Sequence, residues 1–289
     1  MLGRSGASLT AIDGRLYLFG GQDPLHGACF NDLHVLDPAT WEWSEARVEG
    51  GRPPPRHSHV ACRLGDGALV VFGGATAQGT LADVWIYNPK QGTWTRPSVD
   101  GAPPAGREMA AGAMVGPTTL LVYGGRASDG RVLCDAALLD LGAMRWGAAE
   151  PTPFARCAQS AVAFLPATAD GGDDDASASG ADGADAAADA QGPPRRPYVV
   201  TFGGFSGEAV EGDLIRLDGR TLEVVQLDRG PRRGPCSPLP PSSPADRFAH
   251  AAVGVADASG ATVRMLVIGG VNPAEDLSDV AVWTPAAAT

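Results

Sequence analysis

Five times along the chain, a short apolar run ends in a pair of glycines. The runs are LYLFGG closing at Gly20-Gly21, LVVFGG at Gly73-Gly74, LLVYGG at Gly124-Gly125, VVTFGG at Gly203-Gly204 and MLVIGG at Gly269-Gly270. Continuous apolar runs of this length, bounded by turn residues, predict strands buried on both faces. A second run follows each glycine pair and opens at an aspartate. Asp32, Asp83, Asp135, Asp213 and Asp279 begin DLHVLD, DVWIYN, DAALLD, DLIRLD and DVAVWT. An arginine precedes the strand before each apolar run, at Arg4, Arg56, Arg107, Arg156 and Arg247. Trp43, Trp94 and Trp146 hold one phase near the end of the first three units, and Val224-Val225 take that place in the fourth. The pattern predicts four strands per unit. Strand A follows the arginine, B ends at the glycine pair, C opens at the aspartate and D carries the tryptophan.

The units recur roughly every 50 residues, a period that with four strands indicates β-propeller blades. One such sheet cannot bury both faces, so the units must stack. Glycine pairs at strand ends permit positive φ and close backbone approach, and the tryptophans should pack one sheet on the next. The expected blades span 4–55, 56–106, 107–155, 156–228 and 247–289. The two longer intervals contain an Asp/Ala/Gly segment at 168–197 and a Pro/Arg-rich stretch at 228–246. The first has almost no apolar bulk to offset its ordering entropy, so disorder is expected there. The second loosely resembles a basic P-x-x-P ligand around Arg232-Arg233-Gly234-Pro235, but reads better as a long D–A loop.

These co-phased motifs resemble the kelch family over nearly the whole chain. The resemblance implies an all-β propeller of radially arranged antiparallel blades with strand A innermost. It also implies that the B–C and D–A loops share one face, the usual ligand face. Here that face would hold 22–31, 75–82, 126–134, 205–212 and 271–278. A weaker, local similarity is to the Rab-effector-like kelch proteins, which carry a polar insertion between A and B of one blade, as at 164–198 here. Kelch propellers usually have six or seven blades, and only five repeats are countable, the last without a D strand. An incomplete ring is therefore expected. The chain is a fragment of a longer gene, the favoured reading, or a tight five-blade ring, or an open arc completed by another chain.

Composition narrows the function. The chain of 289 residues carries 39 glycines and 24 prolines, which fits many turns and excludes a helical bundle. The formal charge is −11, and 168–194 supplies seven aspartates without a basic residue, so the remainder is only mildly acidic. Nucleic-acid binding has no electrostatic basis. No apolar run approaches membrane-helix length, and the start has no signal-peptide core. The cysteines Cys29, Cys62, Cys134, Cys157 and Cys236 are odd in number and scattered. They fit reduced thiols in the cytoplasm, with the nucleus also open.

The search for chemistry finds no converging catalytic set. His57-x-His59 with Cys62 is an incomplete ligand group. His250 shares the phase of His59, three after the arginine, where other units have Ala7, Ala110 and Gln159. Tyr17, Tyr87, Tyr123 and Tyr198 sit at blade-core phase, unlike the ligands of the galactose-oxidase type. The iron motif of the kelch specifier proteins meets Glu275 and Asp279, but Trp283 replaces its histidine. No phosphate loop, dinucleotide fingerprint or hydrolase elbow occurs. No cofactor and no metal are expected.

The expected function is a non-catalytic protein-interaction module that binds a partner peptide or loop at the B–C/D–A face, in an adaptor or trafficking role. The alternative is a metal-dependent enzyme on the same scaffold. The candidate contacts are Arg4, Arg56, Arg107, Arg156, Arg247, Arg126, His59 and His250. A convergent arginine ring would offer planar donors to an acidic peptide. The competing reading pairs each arginine inside its own blade with a loop carboxylate or a backbone carbonyl, and the loops offer Asp23, Glu108, Glu208, Glu211 and Glu275 as candidate carboxylates.

Overall fold

Apolar runs flanked by glycine and Asx turns become antiparallel meanders in the computed structural model, which describes residues 2–165, 197–228, 246–256, 262–274 and 276–284. The expectations for 168–196, 229–245 and Glu275 concern residues outside those described. Every regular element described is a β-strand. Blade 1 comprises β1 (Ser8–Ile12), β2 (Arg15–Phe19), β3 (Leu33–Asp37) and β4 (Glu42–Glu45). Blade 2 has β5 (Val60–Arg63), β6 (Leu69–Phe72), the loop hairpin β7 (Ala75–Thr76) and β8 (Gly79–Thr80), then β9 (Val84–Asn88) and β10 (Thr93–Thr95). Blade 3 has β11 (Ala111–Met114), β12 (Thr119–Tyr123), β13 (Asp135–Asp140), β14 (Arg145–Trp146) and β15 (Glu150–Pro151). Blade 4 has β16 (Ser160–Phe164), β17 (Tyr198–Phe202), β18 (Leu214–Asp218) and β19 (Val224–Asp228). Blade 5 has β20 (Ala251–Ala256), β21 (Thr262–Val271) and β22 (Asp276–Trp283).

Within each sheet, successive strands pair in chain order, so every blade is an up-and-down meander. Blades 1 to 4 show the expected four strands. Blade 3 adds β15 beside its third strand, and blade 5 has three strands among the described residues. The first strands β1, β5, β11, β16 and β20 touch their neighbours in that order and form the inner wall of a five-bladed β-propeller. The C–D turns follow one recipe. Asp37 Oδ1 accepts from Ala39 N at 2.9 Å, and Asn88, Asp140 and Asp218 cap equivalent turns. Such Asx turns hold the backbone in place of a ladder bond.

The core lies between blades. One apolar cluster joins blades 1 and 2 through Phe19, Leu33, Leu69, Tyr87 and Trp94, and further clusters join blades 2–3, 3–4 and 4–5. The central strands β6 and β12 are buried on both faces, which is why they read as unbroken apolar runs. The tryptophans act as the phase requires in two blades. Trp94 leans on Phe19 of blade 1, ring centroids 4.9 Å apart, and Trp146 leans on Phe72 of blade 2 at 5.0 Å. Trp43 departs from the expectation. It sits on the face of blade 1 turned away from blade 2 and is 41% exposed.

Candidate functional site

The loop face is assembled from one device repeated in each blade. The arginine before strand A folds its guanidinium onto the aspartate that opens strand C. Arg56 donates to Asp83 at 2.7 and 3.0 Å, Arg107 to Asp135 at 3.0 and 2.7 Å, and Arg247 to Asp279 at 2.6 and 2.8 Å. Arg4 pairs with Asp32 at 2.5 and 2.9 Å. Arg156 reaches both oxygens of Asp213 through Nη2 at 2.9 and 2.8 Å. Except in blade 4, the same guanidinium also donates to the carbonyl of the first glycine of the pair, as Arg56 Nη1 does to Gly73 O at 2.9 Å.

The electrostatics follow from this geometry. Burial alone would raise the Asp32 and Asp83 carboxyls, but the Arg4 and Arg56 forks outweigh it and hold both below the usual carboxylate range. The Arg247 fork does the same for Asp279. Arg56, Arg107 and Arg247 are at most 1% exposed. Their forks are filled, and a second carboxylate finds no open bidentate edge. This corrects the expectation that Arg4, Arg56, Arg107, Arg156 and Arg247 present free donors to an acidic peptide. The internal pairing does use backbone carbonyls, but its carboxylates are those that open strand C and not the loop acids Asp23, Glu108, Glu208 and Glu211. Both columns of residues were visible in the sequence. Their meeting was not, since each pair is separated by at least 27 residues and two strands.

The glycine pair locks one blade to the next. The second glycine donates to the following blade's arginine carbonyl: Gly21 to Arg56, Gly74 to Arg107, Gly125 to Arg156 and Gly204 to Arg247, at 2.7–2.9 Å. A Cβ at Gly74, where φ is +91°, would stand 2.7 Å from His57 O and 2.8 Å from His59 Cβ. Two residues after each arginine the chain turns through the left-handed region, at Gly6, Ser58, Met109, Ala158 and Ala249. These residues form a ladder around the inner wall. Ser58 N donates to Gly6 O, Met109 N to Ser58 O, Ala158 N to Met109 O and Ala249 N to Ala158 O, at 2.7–2.9 Å.

The predicted histidines are joints in this wall. His59 Nε2 lies 2.7 Å from Ser8 Oγ of blade 1, and His250 Nε2 lies 2.7 Å from Ser160 Oγ of blade 4. Burial, helped by Arg56, holds the His59 imidazole down to about 3, and burial with Arg247 holds His250 down to about 4. Both therefore stay neutral near pH 7, where the serine hydroxyl can donate to the imidazole. His59 is only 9% exposed, so it is not a contact residue as expected. The signal that sequence reasoning missed is a pairing of columns. A serine four after the arginine precedes a histidine three after the next arginine, in Ser8/His59 and Ser160/His250.

Above this wall the residue after each arginine pairs with the residue after the glycine pair, at Ser5–Gln22, His57–Ala75, Glu108–Arg126, Cys157–Phe205 and Phe248–Val271. These pairs ring the mouth, and they bring each D–A loop beside a B–C loop. The ring is divided. Arg126 is the candidate that reaches the surface, 43% exposed along its side chain, with Nη2 on Glu108 Oε1 at 2.7 Å. His57 lies 3.8 Å from the other oxygen of Glu108. Blades 4 and 5 supply Phe205, Phe248 and Val271 instead, all partly exposed. Among the described residues no three His, Cys, Asp or Glu side chains converge on a metal position, and no helix is long and apolar enough to cross a membrane.

Comparison with known proteins agrees with the repeat. The KLHDC2/KLHL20/DRC7 Kelch-repeats domain model matches residues 1–166. The chain is 37% identical over 129 residues to Dynein regulatory complex subunit 7 of Chlamydomonas reinhardtii, covering 44% of this chain and 11% of that protein. It is 32% identical over 160 residues to Kelch domain-containing protein 3 of Bos taurus, covering 52% and 41%. It is 30% identical over 139 residues to the Rab9 effector protein with kelch motifs of Bos taurus, covering 47% and 37%. The matched region is thus less than half of each relative's length.

Proposed function

Because this chain belongs to the kelch-repeat family, we propose that it is a non-catalytic protein-interaction module whose partner lies across the mouth of the B–C/D–A face. The observation that carries this reading is the contrast between two layers. Below, the Arg–Asp fork recurs in every blade, tied to the glycine carbonyl in all but blade 4, and makes a rigid platform. Above, the five equivalent pairs differ from blade to blade, polar in blades 1 to 3 and apolar in blades 4 and 5. A varied surface on rigid supports is what selective recognition needs. The Arg126–Glu108–His57 group offers polar contacts, and Phe205 with Phe248 offers an aromatic anchor of the kind that dominates interface energies. A partner segment with an acidic or amide group followed by an apolar side chain fits both halves. Relatives with names such as Rab9 effector and Dynein regulatory complex subunit support a role through protein partners.

The test is affinity capture from cell extract with the full chain and two variants, Arg126→Ala and Phe205→Ala/Phe248→Ala. Melting curves must show that both remain folded. A partner retained by the wild-type protein should be lost from the aromatic variant, and its retention by Arg126→Ala should become less salt-dependent. If both folded variants hold every partner at wild-type level, the binding face lies elsewhere.

A further inference from the structure

The five histidines are of two kinds. His26, His34 and His57 each stand beside a carboxylate, Asp23 at 2.7 Å, Asp32 at 2.9 Å and Glu108 at 3.8 Å. A proton on any of these rings meets an opposite charge. His59 and His250 have no such ion-pair partner among the described residues, and they share one setting. Each sits at a joint between blades, with Nε2 2.7 Å from a serine hydroxyl of the preceding blade, Ser8 or Ser160. Each packs edge-on against the aromatic residue before that blade's glycine pair, Phe19 or Phe202, with ring centroids 5.2 Å apart. Each also lies against the first glycine of the pair, where a Cβ at Gly20 or Gly203 would stand 3.2 Å from Cε1. The charged or titratable groups acting on His59 are Arg56 and His57, and the one acting on His250 is Arg247. Asp83 and Asp279 are taken up by the Arg56 and Arg247 forks. The Phe202 carbonyl favours a charged His250, but burial outweighs it.

The other two internal joints carry no titratable side chain in this slot. Ala110 fills it between blades 2 and 3, and Gln159 between blades 3 and 4, where Gln159 Nε2 donates to Tyr123 O at 3.1 Å. Opening a histidine joint exposes its ring to water, where the ring takes up a proton as the pH falls. Closing the joint must expel that proton, because the site offers it no counter-charge. We infer that the propeller has two acid-sensitive joints, between blades 1 and 2 and between blades 4 and 5, on either side of a block of blades 2 to 4 that mild acid leaves joined. The second joint reaches the loop face. Gly204 N donates to Arg247 O across it, and Phe205 and Phe248 are the next residues on its two sides. Opening it parts the two aromatic rings, so acid releases a partner held there; this consequence rests on the proposed reading of the loop face, whereas the joints themselves do not. The closed joints hold the imidazoles down to about 3 and about 4, against an ordinary 6.5 in the open ones. The opening equilibrium at each should therefore rise on the order of 20-fold between pH 7 and pH 5. Asp32, Asp83 and Asp279, all held below their ordinary 3.8, stay ionised throughout this window.

Backbone amide hydrogen exchange of the full chain, read by NMR at pH 7 and pH 5 and expressed as protection factors, tests it. The amides of Ser58 and Gly21 report the first joint, those of Ala249 and Gly204 the second, and those of Met109, Gly74, Ala158 and Gly125 the two between, since each N–H bonds across its joint. Protection of the first four should fall in acid on the order of 20-fold relative to the others. His59→Gln and His250→Gln, which copy the Gln159 slot, should each abolish the fall at their own joint and leave it at the other, so the untouched joint also shows that each variant is folded. An equal fall at all four joints, no fall at the histidine joints, or a fall that survives in the glutamine variants overturns the inference. Proteins captured from cell extract at pH 7 through the aromatic pair should leave the wild-type chain at pH 5 and stay on His250→Gln. Acid-sensitive joints with capture unchanged at pH 5 would uphold the joints and remove the aromatic anchor from the proposed function.

Discussion

Removing the Asp83 carboxylate should destabilise the propeller far more than an ordinary surface change. Arg56 is 0% exposed along its side chain and Asp83 is 10% exposed, so in Asp83→Ala the guanidinium keeps only carbonyl partners, Gly73 O at 2.9 Å and Pro54 O at 3.2 Å. An uncompensated buried charge of this kind costs about 3–5 kcal/mol. Trp85 Nε1 also loses its acceptor, now at 2.8 Å. For a domain of this size the loss should lower Tm by on the order of 10 °C. Asp129 provides the control, because its pair with Arg131 has side chains 54% and 74% exposed, and Asp129→Ala should leave the melting curve unchanged. Thermal and urea unfolding followed by far-ultraviolet circular dichroism would measure both. The Asp83 carboxyl is held below its ordinary 3.8 in the fold, so its contribution is fully present above that value and is lost as pH falls through the lower folded value. Asp83→Asn should weaken the acid sensitivity in that range. A Tm for Asp83→Ala equal to that of Asp129→Ala would refute the claim that the Arg–Asp devices hold the blades.

Three further outcomes are expected. Trp94→Ala, which opens the joint between blades 1 and 2, should cost about 3–5 kcal/mol in urea unfolding, whereas Trp43→Ala should leave the stability of the dilute protein nearly unchanged; equal effects would contradict the blade geometry. Gly74→Ala meets both a positive φ and two close atoms, and should cost more than about 1 kcal/mol; a wild-type Tm would argue against the glycine joint. His59 is depressed to about 3 from 6.5, so the unfolded chain binds more protons between these values, and stability should be flat above pH 6.5 and fall below it by up to about 1.4 kcal/mol per pH unit. His59→Gln should flatten that decline, and a wild-type protein equally stable at pH 7 and pH 5 would count against a buried neutral imidazole.

The period of apolar runs, glycine pairs and aspartates was enough to specify five antiparallel blades, because alternation and turn chemistry are local and each unit spells the same strand order. Trp94 and Trp146 were likewise placed by phase alone, since rotation about the axis carries every blade onto its neighbour. The role of the arginines could not be read this way. Periodicity gave their common position, but the choice between an open ring and a closed fork depends on where the guanidinium ends, and that is set by a strand that returns at least 27 residues later. The histidine joints needed the same three-dimensional information, because Ser8 and His59 are 51 residues apart and meet only across two blades. Trp43 shows the limit most plainly. Its phase equals that of Trp94, yet one is 41% exposed and the other 6%, because burial belongs to the neighbouring surface and not to the residue.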